Sequence, residues 1–340
     1  MIIRQDFEAL VNANGATNCD IKSLLTTSKN MTSKWADYII DNEVAVNFNI
    51  DTDINLNYLT VQGEQRKVDI SEFAFGQLCA RLGVPAGYVR KCIDNGKISL
   101  ALDNFHAWAG EMNKNMLVRE YEGVARAVLS DSYSPFDSHK VLKSLNNTID
   151  DAIYKPTQVL LSTDRLHLRF INRRPLTIND GSPLYAGFTV DSSDVGRGSL
   201  NMKFFIYREV CTNGLVISKM GGTLFRQNHI GSNMTGGKLE LFSRAIMNID
   251  KLSAQATTLI KENKSCFLKD YELEMYLEKA KRELKLSEKS EEKLVGLIHN
   301  TYGNTRWGII NSVTELAQDF TLDTRIDYEN WAGDLFAKAA

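Results

Sequence analysis

No stretch of about 18 apolar residues occurs in the chain, and its opening carries Arg4, Asp6 and Glu8 where a secretory leader needs an uninterrupted apolar segment. Neither a membrane span nor export is expected, and the reading places the chain in the cytoplasm. Cysteine is sparse: Cys19, Cys79, Cys92, Cys211 and Cys266 are odd in number and scattered, and no C-x-x-C pair exists. That excludes a disulfide framework and leaves reduced, mostly buried thiols. Catalytic signatures are missing as well, since no G-x-S-x-G, H-E-x-x-H or G-x-G-x-x-G is present. The glycine-rich Gly231-to-Lys238 stretch fails as a phosphate-binding loop, with Ser232 where that motif needs glycine and Leu239 where it needs serine or threonine.

Metal ligands are equally thin. His106, His139, His167, His229 and His299 never fall at ligand spacing with one another, and Cys211 with His229 would supply only two positions of a zinc site. Asp131, Asp137 and Asp164 are candidates for magnesium, although turn and cap roles account for the first two. No cofactor and no metal are expected, and an enzyme is the less favoured reading.

What is present is a globular composition, 43% hydrophobic and 24% charged, enough for one large core or two ordinary ones. The net charge of −2 argues against coating duplex DNA by sheer positive charge. The distribution is uneven, however. Between Leu160 and Phe242 ten cations face six acids, a net +4 that leaves −6 for the remainder. Such asymmetry favours an anionic partner at the middle of the chain.

Periodicity divides the chain into a mixed α/β region (1–125), a β-rich core (126–236) and a helical region (237–340). In the first, 44–50 and 58–61 read as strands. Ser71 caps a helix running to Leu82, with Gly83 just past its end, and Pro85 opens a short helix through Cys92. This pair is either a packed hairpin or a helix-turn-helix presenting Arg90 and Lys91. In the second region, 124–129 reads as a strand, and Asp137 or Ser138 caps a helix to about Leu145.

The three strands that follow alternate with period two. Leu166, Leu168 and Phe170 oppose Arg165, His167 and Arg169, with Arg173 and Arg174 directly after. Leu184, Ala186, Phe188 and Val190 oppose Tyr185, Gly187 and Thr189. Leu200, Met202, Phe204 and Ile206 oppose Asn201, Lys203, Phe205 and Tyr207. One face is oily, and the other mixes cations with aromatic rings, the chemistry that a sequence-tolerant single-strand binder requires. The competing reading has helices cover that second face, so that Phe205 and Tyr207 become core residues and the arginines pair with nearby acids. In the third region Phe242, Ala245, Ile246, Ile249, Leu252, Ala256, Leu259 and Ile260 predict one long amphipathic helix, and Lys279 to Lys293 a solvated helical face. The fold class is therefore α+β: a central twisted, largely antiparallel sheet with helices, followed by a helical C-terminal region.

Five ordered blocks carry a resemblance: Phe75 to Tyr88 (FGQLCARLGVPAGY), Arg126 to Asp137 (RAVLSDSYSPFD), Arg208 to Leu215 (REVCTNGL), Arg226 to Gly231 (RQNHIG) and Asn304 to Glu315 (NTRWGIINSVTE). Over about residues 70–335 the chain resembles the phage/plasmid-like protein family, catalogued as domain of unknown function nine-three-two. The resemblance implies carriage by mobile elements in a bacterial host cell, and roles in DNA replication, recombination or countering host defence. By analogy of fold it also points toward single-strand annealing recombinases, which assemble into rings. The matching positions Arg126, Asp131, Tyr133, Arg208, Cys211, Asn213, Arg226 and His229 become candidates, with Asn213-Gly214 also reading as a tight-turn pair.

The leading expectation is thus a mobile-element protein that binds, and anneals, single-stranded nucleic acid, DNA favoured. Arg165, Arg169, Arg173, Arg174, Lys203 and Arg226 would hold phosphates, Tyr185, Phe205 and Tyr207 would stack bases, and His229 would contact the ligand. The alternatives are an interaction protein that counters a host defence factor, and a metal-dependent nuclease. A homo-oligomer and a host protein remain open as partners.

Overall fold

The computed structural model describes residues 11–14, 20–48, 54–111, 114–176, 178, 183–208, 213–216, 223–229 and 236–337. Twelve strands and eleven α-helices occur among them: β1 (Val11–Asn14), α1 (Ile21–Thr32), β2 (Trp35–Phe48), β3 (Ile54–Thr60), β4 (Gln65–Ile70), α2 (Glu72–Arg81), α3 (Ala86–Asp94), α4 (Ile98–Glu111), β5 (Met116–Tyr121), β6 (Val124–Ser130), α5 (Ser138–Thr148), β7 (Tyr154–Leu161), β8 (Leu166–Asn172), β9 (Leu184–Ser192), β10 (Leu200–Arg208), β11 (Asn213–Val216), β12 (Thr223–Gln227), α6 (Gly236–Met247), α7 (Ile249–Ser265), α8 (Asp270–Leu284), α9 (Glu288–Leu297), α10 (Arg306–Leu316) and α11 (Leu322–Ala337). The fold class is α+β, as the alternation predicts. Among the described residues no helix is long and apolar enough to cross a membrane.

The strands form two bodies. β2, β3, β4, β6 and β5 close into a barrel in which only β4 and β6 run parallel. The expected division at residues 125 and 126 falls inside β6, one of the barrel strands. Ile40, Leu56, Val68, Val118 and Val128 fill the barrel's core together with Phe75 and Leu78 of α2. Ser71 caps α2 through a bond from the Ala74 amide (3.2 Å). α2 and α3 form the packed hairpin, because Val89, Cys92 and Ile93 are buried and Arg90 is paired with Glu72 rather than presented to a groove.

The second body is an antiparallel sheet in the order β1-β7-β8-β9-β10-β11, with β12 sharing the outer edge of β10. Its alternation follows the sequence: Leu168, Phe170, Phe188, Val190, Met202 and Phe204 form one buried face, packed with residues of α5, α6 and α7. Burying such a side chain fully is worth about 1.5–3 kcal/mol, so this face sets the register.

Two local expectations change. The predicted long helix is divided at Asn248 into α6 and α7. Its apolar stripe nonetheless persists through the break, with Phe242, Ile249, Ala256 and Ile260 all buried. Asn213-Gly214 does not make a tight turn but opens strand β11, pairing with Arg208 and Tyr207.

Candidate functional site

The non-core face of the sheet is divided between two environments. Toward one end Arg169 is buried and pairs with Glu329 of α11, itself buried. Arg325, one turn earlier on α11, also reaches Glu329 (3.0 Å). Next to Arg169, the Phe205 ring is fully buried, with the Arg169 guanidinium 5.6 Å from its centroid. Phe205 and Ile171 make a small apolar cluster against which Tyr185 and Tyr207 pack, partly buried. Arg169 and Phe205 are therefore structural, contrary to the roles expected of them. A guanidinium already committed to a buried carboxylate offers nothing to a phosphate, and a ring without exposed surface cannot stack a base. For this part of the face the competing reading holds: a helix covers it.

The other end is open. A cleft of about 710 Å³ runs between Phe73 and Gln77 of α2, the segment linking β9 to β10, Arg165 before β8, and Asn201 and Lys203 of β10. Three cations, Arg165, Arg197 and Lys203, line it against one acid, Asp191. Burial opposes the Asp191 charge, but His167 at 2.7 Å, Lys203 and Arg165 hold its carboxyl below the usual carboxylate range. Arg197 pairs with Asp164 (2.7 Å) and lies over the Phe73 ring at 3.9 Å, so that ring face is already occupied. Arg226 is exposed and stands opposite Asn201 on β12, which extends the cationic wall by one strand.

The expected residues are thus only partly brought together. Arg165 and Lys203 share the cleft, and Arg226 adjoins it. Arg173 and Arg174 are exposed but follow the far end of β8, roughly 26 Å from Arg165 at 3.3 Å per residue. Arg174 lines a different, smaller hollow beside α7, and Arg173 donates to the Asp151 carbonyl (2.8 Å). Tyr185 and Tyr207 stand opposite each other at the covered end. Cys211 lies outside the described residues.

A second constellation sits behind the wall of the cleft. Arg119 of β5, almost wholly buried, donates to both carboxylate oxygens of Asp37 on β2 (2.8 and 3.0 Å), lies 2.8 Å from the Asp137 carboxylate and donates to the Asp194 carbonyl (2.6 Å). Burial works against its charge, yet Asp137, Asp37 and Asp194 together hold it above the usual value. Asp137 stands at the cap position of α5 without capping it. Asp194, from the β9–β10 segment, does so instead, accepting from the Ser138 amide (2.9 Å) and hydroxyl (3.0 Å).

Burial first, and then the nearby Asp137, push the Asp194 carboxyl up to about 7. Arg126 of β6 is 1% exposed, lies 4.0 Å from the Trp35 ring and donates Nη1 to the Thr163 carbonyl. Burial, then the Arg119 charge, push it down to about 10. His229 is not in the cleft. It is buried, with its ring stacked on Tyr133 at 5.1 Å, and burial lowers its pKa. Tyr133 in turn donates to the Ser193 carbonyl (3.1 Å), and Ser193 lines the cleft.

Asp37, Arg119 and Asp194 were not legible as site residues. Arg126 is a lone cation inside an otherwise apolar run, and Arg119 follows the apolar Met116 to Val118 beside Glu120; buried charges in such strands were the available signal. Among the described residues no group of three or more His, Cys, Asp or Glu is arranged to hold a metal ion.

Barrel, sheet and helices define a two-body α+β protein whose polar residues converge where the bodies meet. The chain belongs to the family described as Domain of unknown function (DUF932), whose model matches residues 125–329. That span contains four of the five resemblance blocks, while Phe75 to Tyr88 precedes it. No curated protein and no solved structure matches the chain.

Proposed function

We propose that the protein binds single-stranded nucleic acid, DNA favoured, through the phosphates, along the open half of the sheet. One observation carries this reading: Arg165, Arg197 and Lys203 converge on a cleft lined by one carboxylate, Asp191, which is already bonded to His167; Asp164 pairs with Arg197 from outside the lining, and Arg226 stands beside the cleft. Cations held on strands and on a short connecting segment form a track for a phosphate backbone. With Phe205 buried and the Phe73 ring covered by Arg197, base stacking contributes little, and binding is sequence-tolerant and dominated by charge. Annealing in a mobile-element setting is the biological role this supports. Anisotropy of a labelled oligodeoxynucleotide across a salt series tests it: the affinity falls steeply with salt if the cleft is the site, and a flat dependence or no binding rejects it.

A second reading, an interaction protein, is favoured by Phe267, just before α8, and by Tyr271 and Met275 in its first turns, which stand four residues apart with 80%, 63% and 59% exposure. Loss of a protein complex on Tyr271→Glu, with DNA binding retained, would support it.

A further inference from the structure

The constellation behind the cleft contains a feature that structural duty does not explain. Arg126 is 1% exposed, yet among the described residues only its Nη1 has a hydrogen-bond partner; Nε and Nη2 have none. Those two donors form the side-on edge of the guanidinium, the fork that matches two oxygens of one oxyanion. Leaving a buried charged donor pair unsatisfied is costly, and a fold built only for stability would place an apolar residue there. Two residues tied to Arg126, Thr163 through its carbonyl and Asp194 through its charge, carry further buried atoms without a partner among the described residues: the Thr163 hydroxyl and Oδ2 of Asp194. Arg119 is engaged by Asp37 and Asp137 and does not compete for a ligand.

We propose that this constellation is a binding site for a phosphomonoester, with the Arg126 fork taking two phosphate oxygens, Thr163 donating to the phosphate, and Asp194 Oδ2 sharing one proton with it. The donor set distinguishes this group from a carboxylate. A carboxylate places both of its oxygens on the fork and has none left to reach Thr163 and Asp194, whereas a phosphate carries a further non-bridging oxygen. A phosphomonoester has a second pKa near about 6, close to that of the raised Asp194 carboxyl, so the two groups can hold a single proton between them. The source follows from position, and here the inference rests on the nucleic-acid reading. Tyr133 is bonded to Ser193 of the cleft wall, and Asp194 is the next residue, so the site adjoins the strand track and suits the terminal phosphate of a strand. Free phosphate presents the same chemistry.

The test uses the full chain. Its thermal midpoint is measured with inorganic phosphate and with sulfate, which has no proton to share at neutral pH. Affinity is measured for one oligodeoxynucleotide carrying a 5′-phosphate, a 3′-phosphate or neither. Phosphate should raise the midpoint more than sulfate does, and one phosphorylated end should bind about tenfold tighter than the unphosphorylated strand, as expected for a charge-assisted bidentate contact. Arg126→Lys, which keeps the charge and loses the fork, should abolish both differences. Thr163→Val, a milder change, should reduce them if the lysine variant fails to fold. Stabilisation by inorganic phosphate without oligonucleotide binding would retain this site and discard the nucleic-acid reading. Oligonucleotide binding indifferent to its ends, with phosphate and sulfate equivalent in the wild type, would discard the site and retain that reading.

Discussion

Arg169 of β8 and Glu329 of α11 form a buried ion pair across 160 positions of sequence, and this contact closes one half of a sheet face whose other half stays open. The partition decides which cations are structural and which face solvent.

Removing one member of that pair leaves a buried charge uncompensated. Glu329→Ala is expected to cost about 3–5 kcal/mol, while the double change Arg169→Met with Glu329→Leu costs much less, because the desolvation penalty disappears with both charges. Urea denaturation of the wild type and the two variants measures this. Equal losses in the single and double variants would show that packing of α11, and not the pair, carries the stability.

Lys203→Ala and Arg165→Ala should each flatten the salt slope of single-strand binding by about 0.7, from a wild-type value between roughly −2 and −3 for three to four phosphate contacts. Arg173→Ala with Arg174→Ala should leave the slope unchanged, since both follow the far end of β8. A larger effect from the second pair would move the binding track to the hollow beside α7.

Gly187 lies opposite Phe205 on β10, and a Cβ there would collide with the Phe170 carbonyl and come within 2.8 Å of the Phe205 ring. Gly187→Ala should destabilise the protein by about 1–3 kcal/mol through overpacking. Chemical denaturation reads this directly, and a neutral result would mean that Phe205 is free to move off the sheet.

Asp194 gives the stability a pH dependence of defined sign. Its carboxyl is raised from 3.8 to about 7 in the folded state, by burial first and then by Asp137, while Arg126, Arg119 and the Ser138 hydrogen bond act in the opposite direction. The native state therefore holds this proton after the unfolded chain has released it. The contribution is fully present below pH 3.8, declines as pH rises toward 7, and levels off above it. The stability difference between wild type and Asp194→Asn should shift steadily against the wild type as pH rises from about 4 to about 7 and change little above that. A difference independent of pH would show that Asp194 is ionised throughout.

Much of this protein was legible locally. Ser71 as a cap, Gly83 past the end of α2 and the alternation of β8, β9 and β10 all follow from interactions within a few residues. The candidate site was legible only in part. Arg126, Tyr133 and His229 stood in the resemblance blocks, but Arg119 and its partners Asp37 and Asp194 lie outside them and are brought together from 82 and 75 positions apart in sequence, where no local pattern marks them.

The sequence by itself determined the α+β class and the two faces of the sheet, because a period-two pattern allows only one register once one side is oily. Which of the two faces would meet solvent was decided by tertiary structure alone. Its polar residues are equally consistent with a helix or with a ligand above them, and the outcome depended on where a helix 160 residues later set down a single carboxylate.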